Sequence, residues 1–554
     1  MSVSEIVTKI FIVGLSVLTG NIFIIFGNSS CFAANAYLVK DINTTYVYNS
    51  YPQTYGSGPG PFAQLGAQLI FVASDDTHGY ELWKSDGSSQ GTVMLKDINP
   101  GTSSSHIYSI VTLDNNAYFA ADDGIDYGHD LWKTNGTSTE LVKTLRDAYL
   151  FTPVGSNIFF YGDDTGHYKL MKTDGTQTGT GPVTDQDFSN ILEMIDINGT
   201  LFFTTGADEL WKSDGTSSST VLVKAFVSVG SLSRVGNLLY CVASMDSTYS
   251  GYGRELWKSD GTPAGTVMVK DIQPGPDYGF EYSDSNQIVD VNGIAFFAAN
   301  DGVHGDELWK SDGTPSGTVL VKDIEPGYDT SYISNLRNIN GTLFFAADYY
   351  RQHLYKSDGT ASGTSVVSDT FDCSNPELLT EVDDLVYFAS DDFTICRSDG
   401  TATGTTVVTS NSPLNSIGWA SESLAYVNSR LFFSADDYEH GTELWALDTA
   451  RNLLALTING PDSINENASA TYTATASWSD GTTSTVSPTW GENSSYATIS
   501  SSGVLTATAV SGNQTVIVSA SYIRNGVTKN NTHTVAIHNF PWPMFLPSII
   551  RGVQ

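Results

Sequence analysis

Ten tyrosines in irregular loops are the residues of this sequence best suited to binding a ligand. They are Tyr46, Tyr48, Tyr51, Tyr55, Tyr249, Tyr252, Tyr278, Tyr282, Tyr349 and Tyr350. A tyrosine ring can cover the C–H face of a sugar while its hydroxyl bonds to a sugar hydroxyl, and tyrosine clusters serve equally well in protein contacts. The alternative is that these rings only pack against glycine-rich turns. The pattern predicts a binding surface for a glycan or a protein.

Acidic pairs and histidines recur in equivalent loops and form a second group with possible chemistry. The pairs are Asp75-Asp76, Asp122-Asp123, Asp163-Asp164, Asp391-Asp392 and Asp436-Asp437. The histidines are His78, His129, His167, His304, His353 and His440. Carboxylates and imidazoles bind metal ions, and calcium suits carboxylate-rich loops, but no contiguous calcium-binding sequence is present. A feature of nearly every repeat is more simply part of its turn, so we predict no cofactor, assign no metal ligands and keep calcium as the alternative.

Catalytic motifs do not stand out in the sequence. We find no nucleophile elbow, no HExxH and no phosphate-binding loop. Acid pairs that could cleave glycosides are too numerous to single out one. The irregular loops are spread over several repeats rather than concentrated in one place. The sequence therefore favours a binding or adhesion protein, with a polysaccharide-active hydrolase or lyase on the same surface as the alternative.

A nine-fold repeat of the type ELWKSDGT must position these loops. Its copies begin at residues 81, 130, 169, 209, 255, 307, 353, 394 and 443, at spacings of 39 to 52. This period is typical of a four-stranded propeller blade. In the sixth copy, NQIVDV, IAFFAAN, ELWKS and TVLVKDI are the predicted strands a to d, and Asn292-Gly293 predicts a tight turn between a and b. The chain is therefore predicted to be all-β.

The two ends of the repeat array complement each other. AYLVKDI at 36–42 resembles a strand d without a strand c before it, and no strand d follows ELWALD at 443–448. Joining them would remove both exposed edges. We therefore predict a closed β-propeller of nine blades, or of eight if the weak unit at 394 or 169 is absorbed. Strands a and c run opposite to b and d, so the b-to-c and d-to-a loops share one face.

Two features of the repeat itself are predicted to be structural. The recurring tryptophans are expected to fill the space between neighbouring blades. They are Trp83, Trp132, Trp211, Trp257, Trp309 and Trp445. The Asp-Gly-Thr that follows them is expected to form a turn.

Both parts of the chain resemble known families. The ELWKSDGTxxGTVxVKDIxPG string, over roughly 36–450, resembles the ELWxxDGT repeat of secreted bacterial proteins, which implies a secreted propeller-like body and no particular reaction. Residues 455–537 are rich in Ser, Thr and Val and resemble the bacterial Ig-like domain of group 2. That resemblance implies a buried Trp490, a turn at Ser502-Gly503-Val504, and a role in surface display or adhesion.

The sequence divides into four predicted segments. Residues 1–36 read as a secretory signal peptide, 37–452 as the propeller closed by strand 37–42, 455–537 as an Ig-like β-sandwich, and 538–554 as an apolar, proline-rich tail too short to span a bilayer. The mature chain is predicted to be extracellular or on the cell surface, without a transmembrane segment. The net charge of −34 argues against binding to nucleic acid or anionic membranes.

Three cysteines remain after removal of the predicted signal peptide: Cys241, Cys373 and Cys396. So few predict no disulfide framework. Cys396 takes the tryptophan position of its repeat and is interpreted as a small buried apolar residue. A Cys373–Cys396 bridge is the less favoured alternative.

Overall fold

A computed structural model describes most of the chain after the predicted signal peptide. The described residues are 36–48, 52–54, 56–125, 128–245, 253–274, 279–280, 287–390, 394–409, 412, 414–417, 424–479, 481–524 and 526–539. Almost all of the predicted signal peptide, and all but the first two residues of the predicted tail, lie outside them.

Nine antiparallel sheets, numbered here in chain order, follow one another along the repeat array. Sheet 1 comprises Phe62–Leu65, Gln68–Asp75, Gly79–Ser85 and Val93–Lys96. Sheet 2 comprises Ile110–Leu113, Asn116–Ala121, Asp130–Thr134 and Thr139–Lys143. Sheet 3 comprises Asp147–Val154, Asn157–Asp163, Tyr168–Thr173 and Gly181–Pro182. Sheet 4 comprises Ile191–Ile197, Thr200–Thr205, Glu209–Ser213 and Val221–Ala225. Sheet 5 comprises Ser228–Val235, Leu238–Ser244, Glu255–Ser259 and Val267–Lys270. Sheet 6 comprises Val289–Val291, Ile294–Asn300, Asp306–Ser311 and Val319–Lys322. Sheet 7 comprises Ser334–Ile339, Thr342–Ala347, His353–Ser357 and Ser365–Ser368. Sheet 8 comprises Glu377–Val382, Leu385–Ser390, Thr394–Ser398 and Thr406–Val407. Sheet 9 comprises Ser416–Ile417, Ala425–Val427, Arg430–Asp436, Thr442–Asp448 and Tyr37–Lys40.

Sheets 1 to 8 repeat the predicted strand order a, b, c, d, so the array consists of propeller-like four-stranded blades. In sheet 9 two short strands, Ser416–Ile417 and Ala425–Val427, pair with Arg430–Asp436 in place of a single strand a. The middle of strand b is buried and largely apolar, as in Leu69 to Ala73, because both faces of a sheet are covered by its neighbours. The only helices among the described residues are two 3₁₀ turns, Ser217–Ser219 and Phe371–Cys373. No helix in this part of the chain combines the length and hydrophobicity that crossing a bilayer requires.

The first and last sheets of the array are in contact. Tyr37–Lys40 pairs antiparallel with Thr442–Asp448, with Leu38 opposite Trp445. The first strand of every sheet contacts the first strand of the next, and Ala425–Val427 of sheet 9 contacts Phe62–Leu65 of sheet 1. The strand Tyr37–Lys40, which has no strand c before it in the sequence, is therefore paired in the structure with strand c of sheet 9.

The repeat tryptophans lie between neighbouring sheets, as predicted. All six are at most 9% exposed. Trp309 of sheet 6 packs with Val242 and Leu256 of sheet 5. The ammonium group of Lys270, also from sheet 5, lies 5.4 Å from the centroid of the Trp309 ring. Each tryptophan thus contributes to the packing between two blades rather than to a binding site.

The Asp-Gly-Thr prediction is also confirmed as a turn. Asp260 Oδ1 accepts hydrogen bonds from the backbone N–H and the hydroxyl of Thr262, both at 2.8 Å. Gly261 has a φ of 83°, which glycine adopts without steric cost. Ser259 Oγ accepts from the Gly261 N–H at 3.0 Å and so fixes the start of the turn.

The repeat lysine connects each of these turns to the preceding sheet. Lys258 Nζ donates to the Gly313 carbonyl of the next sheet at 2.8 Å. The same forward hydrogen bond joins Lys84 to Gly136, Lys133 to Gly175, Lys172 to Gly215, Lys310 to Gly359 and Lys356 to Gly400. In sheet 9 the lysine is replaced by Ala446, and Arg430 Nη1 instead donates to the Asp86 carbonyl of sheet 1 at 2.7 Å.

The residues after 452 form a second group of sheets, here called the C-terminal unit. The first sheet has the strands Leu453–Asn459, Thr473–Trp478 and Thr483–Val486. The second has Ser463–Asn465, Val527–His538, Gln514–Arg524 and Thr489–Glu492. The third has Ser469–Thr471, Val504–Ala507 and Ala497–Ile499. They enclose their own core, which includes Leu505, Val516 and Val535. The sequence expectation of a buried Trp490 is only partly met, because this ring is partly buried and Trp478 is the deeply buried one.

The expectation of unpaired cysteines in sheet 8 is wrong. Cys373 and Cys396 form a disulfide, with their Cα atoms 5.9 Å apart. Cys396 is fully buried at the tryptophan position of its repeat, and the bond ties it to the 3₁₀ turn Phe371–Cys373. A covalent link therefore stands where six of the other sheets have a tryptophan. Cys241 is free and buried.

Candidate functional site

A cleft of about 630 Å³ opens beside sheet 7, on the face where the b-to-c and d-to-a loops meet. One wall is the connection from Val319–Lys322 to Ser334–Ile339, and the other is the loop between Thr342–Ala347 and His353–Ser357. The lining residues with most relevance to binding are Tyr332, Tyr349, Tyr350, Glu325, Asp329 and Asp348. The cleft lies on the predicted functional face.

Three tyrosine rings form a continuous aromatic surface in the cleft. The centroids of Tyr332 and Tyr349 are 5.1 Å apart, and those of Tyr349 and Tyr350 are 4.6 Å apart. The three residues are 49%, 58% and 95% exposed, so their rings are open to a ligand. The sequence had pointed to Tyr349 and Tyr350 but not to Tyr332. An alignment of PGYDTSY with PGTSSSH would have found it, since Tyr332 takes the place of His106.

The acidic side of the cleft contains the carboxyl groups of Glu325 and Asp348, here called the acidic pair. Tyr355 donates its hydroxyl to Asp348 Oδ1 at 3.1 Å. Burial, followed by the charge of Asp348, raises the pKa of Glu325. Carboxylate oxygens accept hydrogen bonds, so the pair suits hydroxyl-bearing ligands.

A buried glutamate of sheet 6 holds one wall of the cleft in place. Glu307, which is fully buried, accepts hydrogen bonds from the backbone N–H of Ile324 at 2.7 Å and of Glu325 at 3.2 Å. It also accepts from the hydroxyl of Ser331. The wall that carries Glu325 and Tyr332 is thus fixed to the repeat scaffold at both ends.

Sheet 7 departs from the repeat where the cleft forms. Its motif reads HLYKSDGT, so His353 replaces the glutamate and Tyr355 the tryptophan. His353 Nε2 lies 3.9 Å from Asp348 Oδ2. Tyr355 contacts the acidic pair through its hydroxyl, which the tryptophan of other repeats lacks. His353 therefore lines the cleft, and Tyr355 packs against the core and reaches the cleft residue Asp348 with its hydroxyl.

Two cleft residues have an unusual backbone conformation. Tyr332 has a φ of 49° and Asp348 a φ of 102°. Such values are uncommon for residues other than glycine, and side chains held there tend to cluster at functional sites. His106, Asn190 and Asn375 occupy the repeat position of Tyr332 and also have positive φ, which asparagine tolerates more readily than other residues. The cleft thus contains a tyrosine where these other copies have histidine or asparagine.

The other predicted tyrosines are not brought into this cleft by the described part of the structure. Tyr46–Tyr48 pairs with Pro52–Thr54 in a short hairpin, which places the backbone of Tyr46 and Tyr48. The remaining six lie outside the described residues: Tyr51, Tyr55, Tyr249, Tyr252, Tyr278 and Tyr282. Phe280, from one of the same aromatic loops, is buried and packs on Phe297 at 5.4 Å. This loop aromatic therefore belongs to the core.

The described acidic loops with histidines act as turns, as favoured from the sequence. Asp75 Oδ1 accepts from the backbone N–H groups of Thr77 and His78 at 2.9 and 2.8 Å, and also contacts the His78 ring. This hydrogen bond raises the pKa of His78. The pairs Asp301–His304 and Asp437–His440 repeat the arrangement. Among the described residues no three or more potential ligands are grouped to hold a metal ion, and calcium binding stays untested.

Comparisons with known proteins add little to this site. No protein-family model and no curated protein matches the chain. Among solved structures, the computationally designed Ika8 protein is 11% identical over 62% of this chain and 96% of its own, with a TM-score of 0.37. BamB from Moraxella catarrhalis is 14% identical over 61% and 96%, with a TM-score of 0.36. The GH74 enzyme of Niastella koreensis is 10% identical over 90% and 91%, with a TM-score of 0.30.

Proposed function

We propose that this chain is an extracellular binding protein that recognises a glycan through the cleft of sheet 7. The observation that carries the proposal is the row of three exposed tyrosine rings beside the carboxyl groups of Glu325 and Asp348. Aromatic faces cover the C–H faces of sugars, and a few fixed polar groups then set the orientation of the ligand. The volume of about 630 Å³ is in the usual range of small-ligand sites.

A polysaccharide-active enzyme is the alternative, because Glu325 and Asp348 both line the cleft and paired carboxyl groups can carry out glycoside hydrolysis. The test below distinguishes binding from catalysis.

The scaffold is proposed to be a closed propeller of nine blades that belongs to the ELWxxDGT-repeat proteins. Closure is supported by the pairing of Tyr37–Lys40 with Thr442–Asp448 and by the contact of the first strand of sheet 9 with that of sheet 1. The C-terminal unit is proposed to be a bacterial Ig-like domain of group 2 that displays or spaces the propeller. Secretion is in keeping with the disulfide of sheet 8, since disulfides persist mainly outside the cytosol.

Binding to a panel of bacterial and plant polysaccharides would test the proposal. We expect Tyr349→Ala and Tyr350→Ala each to weaken binding by about 1–3 kcal/mol without a change in melting temperature, as for exposed aromatic anchors. Tyr438→Ala is the matched control, because Tyr438 is an exposed tyrosine in the corresponding loop of sheet 9. Equal binding by the natural protein and all three variants would contradict the proposal. Release of reducing ends or unsaturated sugars would establish the enzyme instead.

A further inference from the structure

The cleft of sheet 7 is lined by three carboxyl groups that a ligand can reach. They belong to Glu325, Asp329 and Asp348. Asp329 is exposed, and Glu325 and Asp348 are partly exposed. Among the described residues, the one ion pair of these groups is the 3.9 Å contact between Asp348 Oδ2 and His353 Nε2. Glu325 and Asp329 therefore have no positively charged partner in this part of the chain.

The basic residues of the cleft do not offset its carboxyl groups. Among the described residues that line it, Arg351 and His353 are the basic ones. The Arg351 guanidinium lies 3.2 Å from the centroid of the exposed Phe371 ring, so it stacks there instead of pairing with a carboxylate. Three carboxyl groups thus face one stacked arginine and one histidine, which leaves the cleft negative.

The electrostatics of the cleft floor agree with this excess of negative charge. Burial raises the pKa of Glu325, and the charges of Asp348 and Asp329 raise it further. Burial likewise raises the pKa of the Tyr355 hydroxyl, followed by the charges of Asp348 and Glu325. Negative neighbours that oppose the ionisation of an acid favour a positive charge at the same place. The floor of the cleft is therefore suited to a cation.

The tyrosine rings beside the carboxyl groups also attract cations. The face of an aromatic ring stabilises an ammonium group within about 6 Å of its centroid. Tyr349 and Tyr350 are 58% and 95% exposed, so such a group can reach them. Glycans with uronate or sulfate groups would meet a chain of net charge −34 and are disfavoured. Rings and carboxyl groups together favour a sugar that carries a positive charge.

We propose that the cleft selects glycans with free amino groups, such as a polymer of deacetylated hexosamine. The ammonium group would lie against the carboxyl groups of Glu325 and Asp329, and the sugar rings against Tyr349 and Tyr350. An acetamide or a hydroxyl at the same position would bring no charge to the site. This inference rests on the proposed glycan-binding function and names the class of glycan.

Three hexasaccharides linked as in cellulose form a matched set of probes: those of glucosamine, N-acetylglucosamine and glucose. They differ only in the group at C2, which is an amine, an acetamide or a hydroxyl. At about pH 6, below the usual pKa of an amine, the glucosamine hexamer is positively charged. We expect the full chain to bind it at least about tenfold more tightly than either of the others. Added salt should reduce this preference, because it screens the charges.

Neutral substitutions of the carboxyl groups test the assignment within the cleft. Glu325→Gln and Asp329→Asn keep the size of the side chain, and each should reduce the preference for the glucosamine hexamer by about threefold or more without a change in melting temperature. Binding of the glucose hexamer should not change. Glu439→Gln is the matched control, because Glu439 is an exposed glutamate in the b-to-c loop of sheet 9.

Several results would overturn the inference without contradicting glycan binding. They are equal affinity for the three hexamers, failure of the glucosamine hexamer to bind, and an undiminished preference in both Glu325→Gln and Asp329→Asn. Competition by a lysine hexapeptide as strong as that by the glucosamine hexamer would overturn it too, because the cleft would then recognise charge without a sugar. The proposed function itself fails only if no polysaccharide of the panel depends on Tyr349 and Tyr350 for binding.

Discussion

The tryptophan of the repeat carries much of the packing between neighbouring sheets. Trp257 is buried, and its ring meets Phe226 edge-on at 5.2 Å. Lys224 Nζ lies 5.1 Å from the centroid of the same ring. We expect Trp257→Ala to lower the free energy of unfolding by about 3–5 kcal/mol, because it removes a buried aromatic side chain and leaves a cavity. Urea unfolding would measure the change.

Trp257→Phe is the control for that substitution, since it keeps an aromatic ring in the same space. Its loss of stability should be clearly smaller. A loss of ligand binding in Trp257→Ala with unchanged unfolding would show instead that the residue belongs to a binding site.

Single residues were predictable where their role lies within one repeat. The turn made by Asp260 follows from its own Ser-Asp-Gly-Thr sequence, and the burial of Trp257 follows from its recurrence. The placement of Glu325 and Asp348 in one cleft was not predictable in this way, because they lie in a d-to-a connection and in a loop of the next sheet. The sequence shows that both residues are acidic but not that they meet.

At the scale of single elements, the first strand completes the last sheet. Besides its pairing with Thr442–Asp448, the N-terminal segment is held by Glu443, which accepts from the backbone N–H groups of Ile42 at 3.2 Å and Asn43 at 3.1 Å. Deletion of 37–43 should destabilise the array by several kcal/mol, because it exposes a strand edge and the apolar residues that the segment covers. The melting temperature would report the loss.

A peptide of residues 36–43 provides the control for this deletion. Added in excess, it should occupy the vacant edge and restore most of the lost melting temperature. An unchanged melting temperature after deletion would show that the array does not depend on this strand.

The disulfide of sheet 8 should stabilise the folded chain. Cys373 and Cys396 are 23 residues apart, and a link of that length restricts the unfolded chain by about 3 kcal/mol in the chain-entropy description. Reduction should therefore lower the urea midpoint of the natural protein. A Cys373→Ala, Cys396→Ala double variant should have the lower midpoint already and show no response to the reductant. A response in the variant, or none in the natural protein, would contradict this assignment.

Strands were easier to predict than the contacts that replace a missing motif residue. The four strands of sheet 6 follow from apolar runs separated by Asn292-Gly293 and Asp312-Gly313. In sheet 8, Cys396 looked like a small apolar substitute because its partner stands in a short 3₁₀ turn with no repeat signature. Spacing alone could not place that turn against the strand.

For the molecule as a whole, stability should fall as pH rises from about 5 to 8. Burial raises the pKa of four repeat glutamates from the usual 4.5 to about 7: Glu81, Glu255, Glu307 and Glu443. The folded state therefore holds protons that the unfolded chain has already released, so the free energy of unfolding decreases as pH rises between these values. Hydrogen bonds to aspartate raise the pKa of three histidines: His78, His304 and His440.

The stabilisation by these histidines is fully present below pH 6.5 and is lost as pH rises through the raised pKa values, so they act in the same direction. Calorimetric melting temperatures across this pH range would measure the combined effect of the glutamates and histidines on stability. A profile that is flat or rises toward pH 8 would contradict it.

The six forward hydrogen bonds from a strand-c lysine to a turn glycine all join the same two positions of the repeat. A duplicated copy would arrive with a lysine for the copy after it and a turn carbonyl for the copy before it. Gene duplication or loss of one copy would leave no orphaned donor at the new junction. The number of repeat copies would then reflect past duplications and losses, because these hydrogen bonds do not fix it. Two units could not be exchanged in this way: sheet 8, where Arg397 stands at the lysine position, and sheet 9, where Ala446 stands there and Arg430 makes the bond to sheet 1.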